Sequence, residues 1–258
     1  MKLFLNIRLA ILTLAALITL TAAAANLTTT QPVEAKTAGS KDDPYKWWRS
    51  NCERIAIDIK KMNGQIDVAF VGDSITARWR GGENWTKHWG TYRSVNMGIG
   101  GDRTENVLWR LQNGELDGYK ARVFVVLIGT NNTDKNTEAA DIAAGVKAII
   151  ELIKSKQPQA KILLMGIFPR GAKPSPNPGR EKITATNKLI SQFQDGDKVH
   201  YIDIGAKFLQ PDGTISKEVM GDFLHLAPKG YDIWAEAISG KIKELLGATA
   251  SVQKSPVQ

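Results

Sequence analysis

Val123-Phe124-Val125-Val126-Leu127-Ile128 is the most apolar run of the chain beyond its amino-terminal segment, and no polar residue alternates within it. A strand with one wet face alternates with period two. A strand that does not alternate is covered on both faces, which is the condition of a central strand in a parallel sheet. Shorter strand candidates lie at residues 67–71, 92–97, 161–165 and 199–204. Between them, apolar residues recur every three or four positions, predicting helices over 45–62, from Thr104 onward, over 138–156, 180–193 and 228–246. Strands that alternate with helices in this way predict one three-layer α/β domain built on a five-stranded parallel sheet.

The two ends stand apart from that pattern. Lys2 and Arg8 precede an apolar stretch from Leu9 to Leu20, followed by Ala22-Ala23-Ala24-Ala25. This is the layout of a signal peptide over residues 1–25, and it predicts export to the periplasm or the extracellular space. The stretch is short for a membrane span and is broken by Thr13, Thr19 and Thr21, so no stable span is expected after processing. Residues 26–42 read as a linker, 43–248 as the domain and 249–258 as a disordered tail.

The formal charge is +8. No basic helix or aromatic-basic interleaving accompanies it, so nucleic acid is not an expected partner; attraction to anionic polymers is. Cys52 is the one cysteine, which excludes an internal disulfide and a cysteine-based metal site. On helical spacing it reads as a small, buried side chain.

The chemistry concentrates at strand ends. Gly72-Asp73-Ser74 follows the strand at 67–71 directly, setting a hydroxyl at the carboxyl end of a parallel strand, where open α/β sheets carry their sites. A neutral hydroxyl needs a base. Of the three histidines, His200 falls inside a strand and His88 lies in a tryptophan-rich loop with no carboxylate at useful spacing. His225 has Asp222 three residues earlier, so one turn sets a carboxylate on the ring nitrogen opposite the serine. Oxyanion donors are available from the Ser74 backbone N–H, from Gly98-Ile99-Gly100-Gly101-Asp102 and from Gly129-Thr130-Asn131-Asn132, each at a strand end. A dinucleotide fingerprint fails because Arg103 stands where the third glycine belongs, and the histidines lack zinc-site spacing. No cofactor and no metal are expected.

Gly72-Asp73-Ser74, the loop containing Gly101, Gly129-x-Asn131 and Asp222-x-x-His225 resemble, in order, the four motif blocks of SGNH (GDSL-type) esterases. The resemblance to the catalytic subunits of intracellular platelet-activating-factor acetylhydrolase extends through Asn96-Met97-Gly98-Ile99-Gly100-Gly101-Asp102, Val107-Leu108-Trp109-Arg110-Leu111, Gly129-Thr130-Asn131-Asn132 and Pro169-Arg170-Gly171. It implies Ser74 as nucleophile, His225 as base and Asp222 as its orienting partner. It also implies an oxyanion hole of the Ser74 and Gly101 N–H groups and the Asn131 amide, and a flavodoxin-like sheet of order 2-1-3-4-5. The export segment and the stretch from Arg78 to Trp85 are this chain's own.

No insertion long enough to form a lid is visible, so the expected site is shallow and suited to a short acyl group such as acetyl. Trp79, Trp85 and Trp89 have two readings, faces for sugar rings or closure of the core edge. Arg103, Arg110 and Arg170 likewise read either as a site mouth for acidic sugars or as solubilising surface. The substrate expectation is an acylated small molecule or polysaccharide, and the activity expected is an exported carbohydrate O-acetylesterase. The alternatives are a phospholipid acetylhydrolase or lysophospholipase, and a non-catalytic sugar- or surface-binding module on the same fold.

Overall fold

The structure is a computed structural model and describes residues 46–133 and 136–252. The expected export segment and linker lie outside the described residues, as do 253–258. Five parallel strands form one sheet: β1 (Gln65–Gly72), β2 (Ser94–Gly98), β3 (Lys120–Leu127), β4 (Lys161–Met165) and β5 (Val199–Ile202). Their order is β2-β1-β3-β4-β5, the flavodoxin-like arrangement. The most apolar run therefore lies at the centre of the sheet, with two strands on each side.

Side chains of β1 and β3 leave the sheet alternately and find apolar cover on both sides. Ala69, Val71, Phe124 and Val126 pack in one layer with helices α1 (Lys46–Lys61), α4 (Thr104–Arg110), α5 (Ala139–Lys156) and α6 (Pro178–Ile190). Val68, Phe70, Val123 and Val125 pack in the other with α3 (Glu83–Trp89) and α7 (Pro228–Val252). The last helix runs past its expected end at Leu246 to Val252, so residues 249–252 are helical and not part of a disordered tail as expected.

Helix α3 occupies a stretch expected to be a loop. Glu83 in its first turn and Lys87 and His88 in its last complement the helix dipole, a signal present in the sequence. The ends of β1, β2 and β3 are level, with Gly72 paired to Gly98 on one side and to Leu127 on the other. The three loops that follow these strands therefore open at one rim.

The tryptophans resolve to the core reading. Trp79 and Trp89 are 1% exposed and surround Phe70 with the half-buried Trp85 and the buried Trp234. They cement α3 and α7 onto the sheet. Neither Trp79 nor Trp89 offers a face to a sugar ring.

Candidate active site

Ser74 opens the one-turn helix α2 (Ser74–Ala77) immediately beyond β1. Asp73 caps that turn, its carboxylate accepting the Ile75 N–H at 2.9 Å. Two contacts then fix the turn from opposite sides. Asn96 on β2 donates to the Thr76 carbonyl at 2.7 Å, and the Tyr231 hydroxyl on α7 donates to the Ile75 carbonyl at 2.8 Å. Gly98 is required for this fit, because a Cβ there would collide with the backbone of Ala77 and Asp73. Asp73 is fully buried, and burial pushes its carboxyl up to about 7 against the pull of the Ile75 hydrogen bond.

The imidazole comes from 151 residues away. Ser74 Oγ lies 2.9 Å from His225 Nε2. On the far side of the ring, His225 Nδ1 lies 2.6 Å from Asp222 Oδ2. The other carboxylate oxygen accepts the backbone N–H groups of His225 at 2.7 Å and Leu224 at 3.1 Å. This fold-back requires Phe223, between them, to take φ +61°, a left-handed conformation costly for a bulky side chain. A bridge between Met220 and Leu226 closes the loop, and Gly171 N–H holds the Phe223 carbonyl at 2.8 Å. Partial desolvation raises the Asp222 carboxyl, but its hydrogen bonds with His225 win and hold it at about 2.

The loops after β2 and β3 complete the rim. Gly101 has φ +70°, which favours glycine, and lies in the same cleft as Ser74, Gly100, Asn131 and His225. Asn131 Nδ2 donates to the Asp102 carbonyl at 2.8 Å, which fixes the amide plane while its second N–H remains to be used. Among the described residues no acceptor takes the backbone N–H of Ser74 or Gly101.

Beneath this rim lies a buried charge cluster. Arg110 is 1% exposed. Its Nε donates to Asp102 at 2.8 Å, its Nη1 to Glu115, and its Nη2 to the carbonyls of Met97 at 2.9 Å and Gly72 at 3.3 Å. Trp48 Nε1 donates to the other Asp102 oxygen at 2.7 Å. One guanidinium thus ties the ends of β1 and β2 to the loop that carries Gly101. The mouth reading of Arg110 is therefore wrong. The periodicity held the signal: three residues after the buried Val107, Arg110 shares its inward face.

Arg103 and Arg170 are half-buried and committed to the β3–α5 loop. Arg103 pairs with Glu105 at 2.6 Å and donates to the Asn131 carbonyl at 3.3 Å; Arg170 donates to the Thr130 carbonyl at 3.0 Å. The residues that do line the cleft, an open depression of about 560 Å³, include Asn51, Ala77, Arg78, Arg80 and Leu224, none of which sequence reasoning had singled out.

The remaining candidates lie elsewhere. His200 falls inside β5 as expected, where it is half-exposed and bonded to the Asp197 carbonyl at 3.0 Å. His88 does have a carboxylate, Asp232, 2.7 Å away across the α3–α7 contact. Cys52 is half-buried, and burial with the Glu115 charge pushes its thiol up to about 12. Among the described residues no group of three or more His, Cys, Asp or Glu is arranged to hold a metal, and no helix is long and apolar enough to cross a membrane.

A hydroxyl, an imidazole and a carboxylate in line at the carboxyl edge of a flavodoxin-like sheet define an ester hydrolase of the SGNH class. The chain belongs to the GDSL-like lipase/acylhydrolase family, whose model matches residues 70–233. It is 39% identical over 211 residues to the platelet-activating factor acetylhydrolase IB subunit alpha2 of Rattus norvegicus, covering 81% of this chain and 90% of that one. Its fold is shared by a GDSL-like lipase of Bacteroides thetaiotaomicron (TM-score 0.61, 20% identity, 78% of this chain and 98% of that one). It is also shared by the carbohydrate acetylesterase Est24 of Sinorhizobium meliloti (TM-score 0.56, 19% identity, 70% and 99%).

Proposed function

We propose that the protein is an exported serine esterase that removes short acyl groups, acetyl foremost, from a carbohydrate. The observation that carries the reading is the unbroken line from Ser74 Oγ through His225 to Asp222, with contacts of 2.9 and 2.6 Å. Ser74 attacks the ester carbonyl while His225 Nε2 takes its proton, and Asp222 holds the ring in the required tautomer. The oxyanion collects the N–H groups of Ser74 and Gly101 and the Asn131 side-chain amide. The tetrahedral intermediate collapses as His225 protonates the leaving alcohol. Water then attacks the acyl carbonyl while His225 takes its proton; the acid leaves as the acyl–Oγ bond breaks and His225 returns that proton to Ser74 Oγ.

The cleft supports the choice of substrate. Its apolar side chains are Ala77 and Leu224 alone, so a long acyl chain would find little surface to bury against. The polar side chains of Asn51, Arg78, Arg80 and Asn131 suit a hydroxylated acceptor. Export rests on the charged and apolar pattern of residues 1–25, and the working domain would be residues 43–248. A second reading, a phospholipid acetylhydrolase, is favoured by the relatives of about 39% identity that carry an acetylhydrolase name. Turnover of acetylated xylan against an acetyl-phospholipid separates the two. The proposal expects release of acetate from the polysaccharide, and faster turnover of the lipid would reverse the order. Asn131→Ala is expected to lower kcat by about 10²-fold through loss of one oxyanion donor, and an unchanged kcat would remove Asn131 from the hole.

A further inference from the structure

One wall of the cleft is cationic in a way the hydrolytic steps do not use. Arg78 and Arg80 both line it, and no Asp or Glu does. Arg78 follows α2 and donates its backbone N–H to the Ser74 carbonyl at 3.0 Å, so its side chain leaves the chain one turn from the nucleophile. That side chain is 58% exposed, and its nearest carboxylate oxygen, on Asp222, is 3.9 Å away and already engaged by His225.

Arg80 is half-buried. It donates Nη2 to the Gly98 carbonyl at 3.3 Å, where the loop that leads to Gly101 begins. Its Nε is buried with no acceptor, as are Nε and Nη2 of Arg54 on α1. Among the described residues no carboxylate pairs with Arg80. Burial and the neighbouring Arg54 charge both act against the Arg80 cation, drawing it below the usual guanidinium range. A guanidinium in such a place stays charged; the Asp58 carboxylate of α1, itself bonded to Arg54, acts on it without a direct contact.

We infer that Arg78 and Arg80 form an anion subsite beside Ser74, which selects acyl acceptors carrying a carboxylate or phosphate near the esterified hydroxyl. Both guanidiniums line the same cleft as the serine and offer planar, charge-assisted donors to such a group. The basic balance of the chain, +8 overall and 8 − 2 = +6 without Lys2 and Arg8 of residues 1–25, would draw the same substrates toward the cleft. The inference rests on the esterase reading for its substrate class, but the subsite itself can be tested without turnover.

The test uses matched pairs of acetyl esters: an O-acetylated methyl uronate against its methyl ester, and 2-acetyl-glycerol-3-phosphate against 2-acetyl-glycerol. Wild type is expected to favour the charged member by about tenfold in kcat/KM, the worth of one charge-assisted hydrogen bond. The preference should shrink as salt is raised and fall toward parity in the Arg78→Gln, Arg80→Gln double variant. A larger preference within the uronate pair assigns an acidic carbohydrate, and a larger one within the phosphate pair assigns a glycerophosphate. Equal turnover of charged and neutral members, or an undiminished preference in the double variant, overturns the subsite.

Calorimetry on the Ser74→Ala protein separates this failure from failure of the esterase reading. With methyl uronate and glycerol-3-phosphate as probes, binding that needs both arginines sustains the subsite even if no ester in the panel is cleaved. Cleavage without charge preference sustains the esterase and removes the subsite.

Discussion

The molecule holds two imidazole–carboxylate pairs of nearly the same geometry. His225 and Asp222 meet at 2.6 Å on the rim, and His88 and Asp232 meet at 2.7 Å where α3 packs on α7. Both carboxyls are held at about 2, Asp222 by His225 against partial desolvation, and Asp232 by hydrogen bonds from His88 and then Lys87. Neither the pair distance nor the state of the carboxylate distinguishes them. The difference is at the second ring nitrogen. Asp222 takes Nδ1 of His225 and leaves Nε2 facing Ser74, whereas Asp232 takes Nε2 of His88 and also receives Lys87 at 3.0 Å. The first pair has the Ser74 hydroxyl at its free end, and the second is a clasp between two helices.

The sharpest way to break this comparison is to remove the imidazoles in turn. Ser74→Ala or His225→Ala is expected to lower ester hydrolysis by about 10⁴-fold or more with the fold intact. His88→Gln should leave kcat within about twofold, because it lies outside the cleft and shares no partner with it. Comparable losses from both histidine variants, measured by acetate release, would erase the distinction. The carboxylates give a smaller contrast. Asp222→Asn should cost on the order of 10³–10⁴-fold in kcat by fixing the wrong tautomer. Asp232→Asn should act on stability alone, by about 0.5–1 kcal/mol in urea unfolding, the worth of a partly exposed pair.

A further contrast lies in acid. Both carboxyls titrate at about 2 when folded, against 3.8 for an ordinary aspartate. Each therefore adds stability that is complete above about pH 4 and is lost as the pH falls toward 2. Either Asn variant should show a shallower loss between those limits. Asp73 runs the other way: its folded carboxyl, near 7, makes stability decline as pH rises from about 4 to 7, and Asp73→Asn should flatten that slope.

Much of this was legible before any coordinates. Apolar runs located all five strands to within a few residues, because a strand covered on both faces leaves no other pattern. The local motif Asp222-x-x-His225 exposed one clasp, since its two halves lie within a turn of each other. The other clasp joins residues 144 apart on two helices, and no local signal links them. Arg110 was misjudged, and the tryptophans were left with two readings, for a related reason. A charged or aromatic residue near a glycine-rich loop looks like surface until the helix face that carries it is traced inward. Arg78 and Arg80 gave no signal, because their meaning depends on which carboxylates are missing around them.

The most direct test of the central claim is labelling with a fluorophosphonate ester followed by peptide mass analysis. The account predicts a single adduct on the peptide containing Ser74, formed in wild type and in His88→Gln and suppressed in His225→Ala. An adduct on any other residue, or undiminished labelling of Ser74 without His225, would contradict it.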